Sequence, residues 1–123
     1  MWADARHTVV LTGRSRERLA PLEKELSSRA LRVLALPADL TREEEVRHLV
    51  EESLRTFGTV HALVHCAGWG TLKPLQETTP EAWRRTLDTN LTSLFLLTRA
   101  LLPHFLRRGH GHVVALSSVA GRH

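Results

Sequence analysis

The residues of this chain best suited to chemistry fall into four short clusters, each directly after a β-branched or aliphatic run: Gly13-Arg14-Ser15-Arg16, Asp39-Leu40, Cys66-Ala67-Gly68 and Ser117-Ser118. A guanidinium such as Arg14 can clamp a phosphate with paired charged hydrogen bonds, and Ser15 and Arg16 stand ready to help. Asp39, when ionised, is a carboxylate that can only accept hydrogen bonds. A hydroxyl such as Ser118, with Ser117 as its neighbour, can hydrogen-bond a carbonyl or an alcohol. Asn90 lies inside a long helical pattern, where an amide is an unhelpful choice for propensity alone. Each has a plainer alternative. Arg14 to Arg18 also suits a solvated helix start, Asp39 a turn before Thr41, and Asn90 a surface polar position. Cys66 has no implied partner, and a strand-end thiol of this kind is packing.

These clusters matter only if the fold gathers strand ends, and the order of elements predicts that it does. Short aliphatic runs alternate with helical patterns, the signature of βαβ units and of a parallel sheet covered by helices. Strands are expected at His7 to Thr12, Arg32 to Leu36, Ala62 to Cys66 and His112 to Leu116. Leu19, Leu22 and Leu26 recur at helical spacing after the first strand, with Pro21 expected to bend that helix or to mark its first turn. Thr41 and Glu44 have the spacing of a capping box at the start of the next helix. Its apolar face is Val46, Leu49, Val50, Leu54 and Phe57, and Gly58 is placed to end it in a left-handed conformation. Thr79-Pro80 opens a long helical region that runs to about Arg108, and Gly109 and Gly111 release the chain into the last strand. In an open parallel sheet, ligands bind outside the carboxyl ends of the strands, where loops converge and helix N-termini point their amides at phosphate.

Composition sets the outer bounds. With 42% hydrophobic and 24% charged residues the chain is an ordinary globular one, predicted to form a single domain over 1–123. Fifteen of the seventeen basic residues are arginine and they alternate with acidic ones, so the net charge of +4 does not mark a nucleic-acid binder. The eight histidines show no zinc spacing, and no metal site is expected. One cysteine and no leader-like N-terminus predict a reducing cytoplasm. Thr92, Ser93, Thr98, Arg99, Pro103 and His104 interrupt the apolar run from Leu91 to Leu106, which is expected to be a buried helix and not a membrane anchor.

Taken in succession, VVLTGRSRERLAPL, PADLT, LVHCAGWG, TLDTNLTSLFLLTRALLP and GHVVALSSVAG resemble segments of the short-chain dehydrogenase/reductase family, whose members are NAD(P)-dependent oxidoreductases. The resemblance runs from about His7 onward and implies a partial doubly wound parallel sheet, a Rossmann-like three-layer α/β/α arrangement with about four strands. It corresponds to an internal portion of the family domain, so 1–123 reads as one incomplete NAD(P)-binding domain. The family's Thr-Gly-x-x-x-Gly-x-Gly turn is not at Thr12-Gly13, because Glu17 and Leu19 stand where later glycines are needed. The family's Tyr-x-x-x-Lys is absent too, since the chain has no tyrosine.

By resemblance, Arg14 stands where the family separates NADP from NAD, and the absence of an acid there implies NADP, with Ser15 assisting. Asp39 resembles the acceptor for the adenine amino group, and Leu40 lies beside the ring. His65-Cys66-Ala67-Gly68 resembles the family's Asn-Asn-Ala-Gly. Ala67 and Gly68 there leave room for the adenosine ribose, while Cys66 replaces a sheet-stabilising carboxamide whose paired donor and acceptor a thiol cannot reproduce. Asn90 resembles the Asn that helps hold a water joining the catalytic Lys to solvent. Ser118 resembles the catalytic Ser that hydrogen-bonds the substrate and orients the Tyr. The implied reaction is hydride transfer between NADP and a small carbonyl or alcohol substrate, with no turnover expected from these residues alone. The alternative is a non-catalytic or partner-dependent remnant of such an enzyme. Self-association is implied through the long helix. Trp69 and Trp83 read as packing and not as substrate platforms.

Overall fold

The computed structural model describes residues 7–29 and 32–118. The chain divides into two compact units, 1–59 and 60–123. The first holds β1 (Thr8–Gly13), α1 (Arg16–Ser28), β2 (Arg32–Pro37) and α2 (Glu43–Phe57). β1 and β2 pair in parallel, from Thr8 opposite Arg32 to Gly13 opposite Pro37, as a helical crossover requires. Ser15 caps α1 by accepting from the Arg18 amide at 3.4 Å, so the helix starts at Arg16. Pro21 therefore lies in the helix interior and does not mark its first turn.

Two side chains of α1 latch it to the sheet. Arg16 Nη1 donates to the Ala35 carbonyl at 2.8 Å, and the Ala35 amide donates to Glu23 Oε1 at 3.2 Å. Both backbone groups of Ala35 face away from β1, so the Arg16 and Glu23 pair satisfies the outer edge of β2 and blocks it as a template for another strand.

The expected capping box at the start of α2 does not form. Arg42 is the N-cap residue and makes no side-chain cap bond. The Thr41 hydroxyl and amide instead both donate to Asp39 Oδ1, at 2.7 and 3.0 Å, and the acid that reaches back is Glu45, accepting from the Asp39 amide at 2.7 Å. An ionised carboxylate two residues upstream is a stronger acceptor than a hydroxyl, so it draws Thr41 into an Asx turn as a donor. Val46, Leu49, Val50 and Ser53 form the buried face of α2, and Gly58 ends the helix with φ 74°.

The second unit holds β3 (Ala62–His65), α3 (Pro80–Leu87), a π turn (Asp88–Thr92), α4 (Ser93–Arg108) and β4 (His112–Ala115). β3 and β4 are parallel, from Ala62 opposite His112 to His65 opposite Ala115. Both of these strands stop one residue short of the sequence expectation, though the Leu116 amide still donates to the His65 carbonyl at 3.0 Å. Thr79 caps α3 by accepting from the Ala82 amide, with Pro80 in the first turn. α4 buries Leu96, Leu97, Leu101, His104 and Phe105. Its last turns grip the approach to β3: the Val60 amide donates to His104 Nε2 at 3.1 Å, and Arg108 donates to the Val60 carbonyl at 3.2 Å. The expected strands, helices and parallel pairing are thus present as an α/β fold, in two small sheets. Among the described residues no helix is long and apolar enough to cross a membrane, and none form a group of three or more metal-binding side chains.

Candidate functional site

In the first unit the chemistry-bearing residues gather at the carboxyl ends of β1 and β2. Arg14 is exposed just beyond β1, and no hydrogen bond or salt bridge of its guanidinium is seen among the described residues. Its charge is felt at Asp39, whose carboxyl is held below the ordinary carboxylate range. The Thr41 hydroxyl contributes most, then the Thr41 amide; burial opposes, and the charges of Arg14 and Arg42 add to the lowering. Asp39 is therefore an anion at neutral pH, near enough to the exposed Arg14 cation to be lowered by it. Ser15 has its oxygen engaged as the α1 cap but keeps its hydrogen to donate. Arg16 is committed elsewhere, to the Ala35 carbonyl and to Glu23 at 3.8 Å. Leu40 is half-buried.

The Thr12 Oγ1 is buried with no hydrogen-bond partner among the described residues, one position before the Gly13-Arg14 turn. A hydroxyl inside a strand gives no sign of this in sequence. One hollow of the unit, about 410 Å³, lies between β2 and α2 and is lined by Leu36, Pro37, Glu44, Glu45, His48 and Leu49. Its two carboxylates make it a poor place for a phosphate, and none of the expected residues lines it.

In the second unit the structure brings the segment after β3 against the π turn. Asn90 Oδ1 accepts from the Trp69 amide at 2.9 Å, and Nδ2 donates to the Trp69 carbonyl at 2.6 Å and to the Thr86 carbonyl at 2.8 Å. Both amide hydrogens are spent. A Cβ on Gly68 would sit 3.1 Å from Asn90 Oδ1, so a bare backbone at position 68 is what lets this clip close. The Arg85 guanidinium lies 4.2 Å from the centre of the Trp69 ring, covering it by cation–π contact. Ala67 is half-buried, Cys66 is an exposed free thiol, and Ser117 and Ser118 are exposed in the segment after β4.

His65 and Ser93, named above only as the start of the His65-Cys66-Ala67-Gly68 segment and as an interruption of an apolar run, form a buried pair. His65 is 4% exposed and Ser93 fully covered, with His65 Nε2 2.7 Å from Ser93 Oγ. Burial pushes the His65 imidazole below its ordinary pKa, so it is neutral at pH 7.

A sequence profile for the short chain dehydrogenase family matches residues 2–123. The chain belongs to the short chain dehydrogenase family. It is 36% identical over 112 residues to an uncharacterized oxidoreductase of Staphylococcus haemolyticus, covering 91% of this chain and 48% of that protein. It is 37% identical over 123 residues to sulfoacetaldehyde reductase 2 of Chromohalobacter salexigens, covering 98% of this chain and 48% of that one. The chain therefore spans about half the length of these relatives. Among solved structures it resembles an alcohol dehydrogenase from the archaeon Thermococcus sibiricus complexed with 5-hydroxy-NADP, with TM-score 0.89 and 28% identity over 99% of this chain and 52% of that one. It is equally similar to an NAD+-bound xylitol dehydrogenase, with TM-score 0.89 and 27% identity over 94% of this chain and 45% of that one. The fold is that of the Rossmann-type short chain dehydrogenases, present here in part.

Proposed function

We propose that this chain is part of an NADP-preferring short-chain oxidoreductase that interconverts a small carbonyl compound and its alcohol. The observation that carries the reading is the exposed Arg14 guanidinium at the end of β1, beside the ionised Asp39. An exposed cation there fits a ribose 2′-phosphate, whereas a carboxylate at that position would suit an unphosphorylated ribose. Asp39 keeps a second carboxylate oxygen to accept an adenine amino group, and Ser15 keeps a hydrogen for phosphate. These residues fit the adenosine end of the cofactor. When bound, the nicotinamide supplies the hydride chemistry.

For Ala67 and Gly68 of the second unit we propose a cofactor contact at small residues, and Cys66 takes a place beside them without the carboxamide role. Ser118 offers its hydroxyl to the substrate oxygen. Asn90 has spent both side-chain hydrogens on carbonyls, so any water it holds is bound by an oxygen of the residue, not by its amide hydrogens. These residues include no tyrosine to donate the proton, so the 123-residue chain by itself is proposed to bind without turnover. We assign both units to one incomplete nucleotide-binding domain, in keeping with a family match that runs through both. The exposed thiol of Cys66 accords with the reducing cytoplasm as its compartment.

Equilibrium binding of NADPH and NADH to the chain tests the reading. The wild type should favour NADPH by about tenfold, the worth of one charge-assisted contact, and Arg14→Asp should remove the preference. Equal affinity for the two cofactors in the wild type overturns the NADP assignment, and binding of neither overturns the cofactor role of these residues.

A further inference from the structure

The Ser93 hydroxyl has one hydrogen, and it is donated to the Thr89 carbonyl at 2.6 Å. His65 Nε2 lies 2.7 Å from the same oxygen and must therefore be the donor of that bond, which fixes the imidazole as the Nε2–H tautomer. The relay His65 to Ser93 to Thr89 ends inside the π turn Asp88–Thr92. A π turn interrupts the regular helical ladder and persists where local bonds hold it open, and a serine bonding back four residues is one such bond. The next residue along is Asn90, whose amide grips both backbone groups of Trp69. We infer that His65 is a positioning residue: acting through Ser93, it sets the π turn and so registers Asn90 against the backbone of Trp69.

This makes the last residue of β3 the control point for the loop that follows it. Cys66, Ala67 and Gly68 lie between His65 at one end and the Asn90 clip on Trp69 at the other. The coupling itself requires no cofactor; its consequence for the placement of Asn90 in a reaction rests on the reductase reading above.

Residue-resolved amide exchange on the 123-residue chain tests it, with His65→Leu to remove the donor, Ser93→Ala to remove the relay, and His65→Gln to restore a donor of similar reach. Exchange at the Trp69 amide should rise roughly tenfold in the first two and return near wild type in the third, while the Val46 and Leu49 amides of the first unit stay protected. Unchanged Trp69 exchange in Ser93→Ala, or no recovery with glutamine, overturns the inference. Should His65→Leu fail to fold, the imidazole nitrogen signals of the wild type decide: a slowly exchanging proton on Nε2 supports the relay, and one on Nδ1 overturns it. Because exchange is read without cofactor, a chain that fails to bind NADPH leaves this outcome standing, and a failed relay leaves Arg14 binding intact.

Discussion

At the scale of single residues, two ionisable groups report on the ends of the strands. Asp39 has a folded-state pKa below its unfolded value of 3.8, so its contribution to stability is present above that value and is lost as pH falls through the folded one. The Thr41 hydroxyl is the main cause, and Thr41→Ala should move the Asp39 carboxyl titration, followed by NMR, upward toward the ordinary range. A midpoint that stays put contradicts the Asx turn. His65 behaves in the same direction for the opposite chemical reason. Its folded pKa lies below 6.5, so between the folded value and 6.5 the unfolded chain binds more protons, and stability rises with pH until it levels above 6.5. Urea unfolding across that window should show the slope in the wild type and its loss in His65→Gln. Of these roles, the turn at Asp39 was legible as an alternative to ligand binding. The saturated amide of Asn90 was not, because its partners are backbone atoms of Trp69, 21 residues away in sequence.

At the scale of elements, alternation of aliphatic runs with amphipathic patterns placed all four strands and their helices, because burial of one face is a period that sequence displays directly. The expected capping box is absent for a local reason: the Thr41 and Glu44 spacing is correct, but Asp39 competes for the same hydroxyl. The π turn was invisible because one extra residue in a helix leaves the apolar pattern of α4 intact. Two glycines show how position decides cost. Gly58 has φ 74° with nothing within 4 Å of where an alanine methyl would sit, so Gly58→Ala should cost about 1 kcal/mol from backbone strain alone. Gly111 has no such φ, but a Cβ there would run into the Phe105 ring, and Gly111→Ala should cost about 3 kcal/mol by overpacking. Chemical denaturation of both variants checks the ranking, and equal costs would contradict it.

At the scale of the whole molecule, membership of the short chain dehydrogenase family was legible from the order of five segments, while the division into two compact units was not, since nothing in the sequence reads as a linker. The π turn and α4 together carry Leu91, Phe95, Leu102 and Leu106 on their surface, each 46% exposed or more, and we propose that the self-association implied by the family resemblance would use this stripe. Sedimentation should show association that Phe95→Glu reduces, and a wild type that stays monomeric at high concentration contradicts it. The cofactor reading turns on whether the ends of β1 and β2 receive a 2′-phosphorylated adenosine. The most direct measurement is an NMR titration of the chain with adenosine 2′,5′-bisphosphate, with adenosine 5′-monophosphate as the control. Shifts are expected at the Arg14, Ser15, Asp39 and Leu40 amides with the bisphosphate, weaker ones with the monophosphate, and loss of the difference in Arg14→Ala. Identical responses to the two ligands, or shifts confined to other residues, would contradict the NADP assignment.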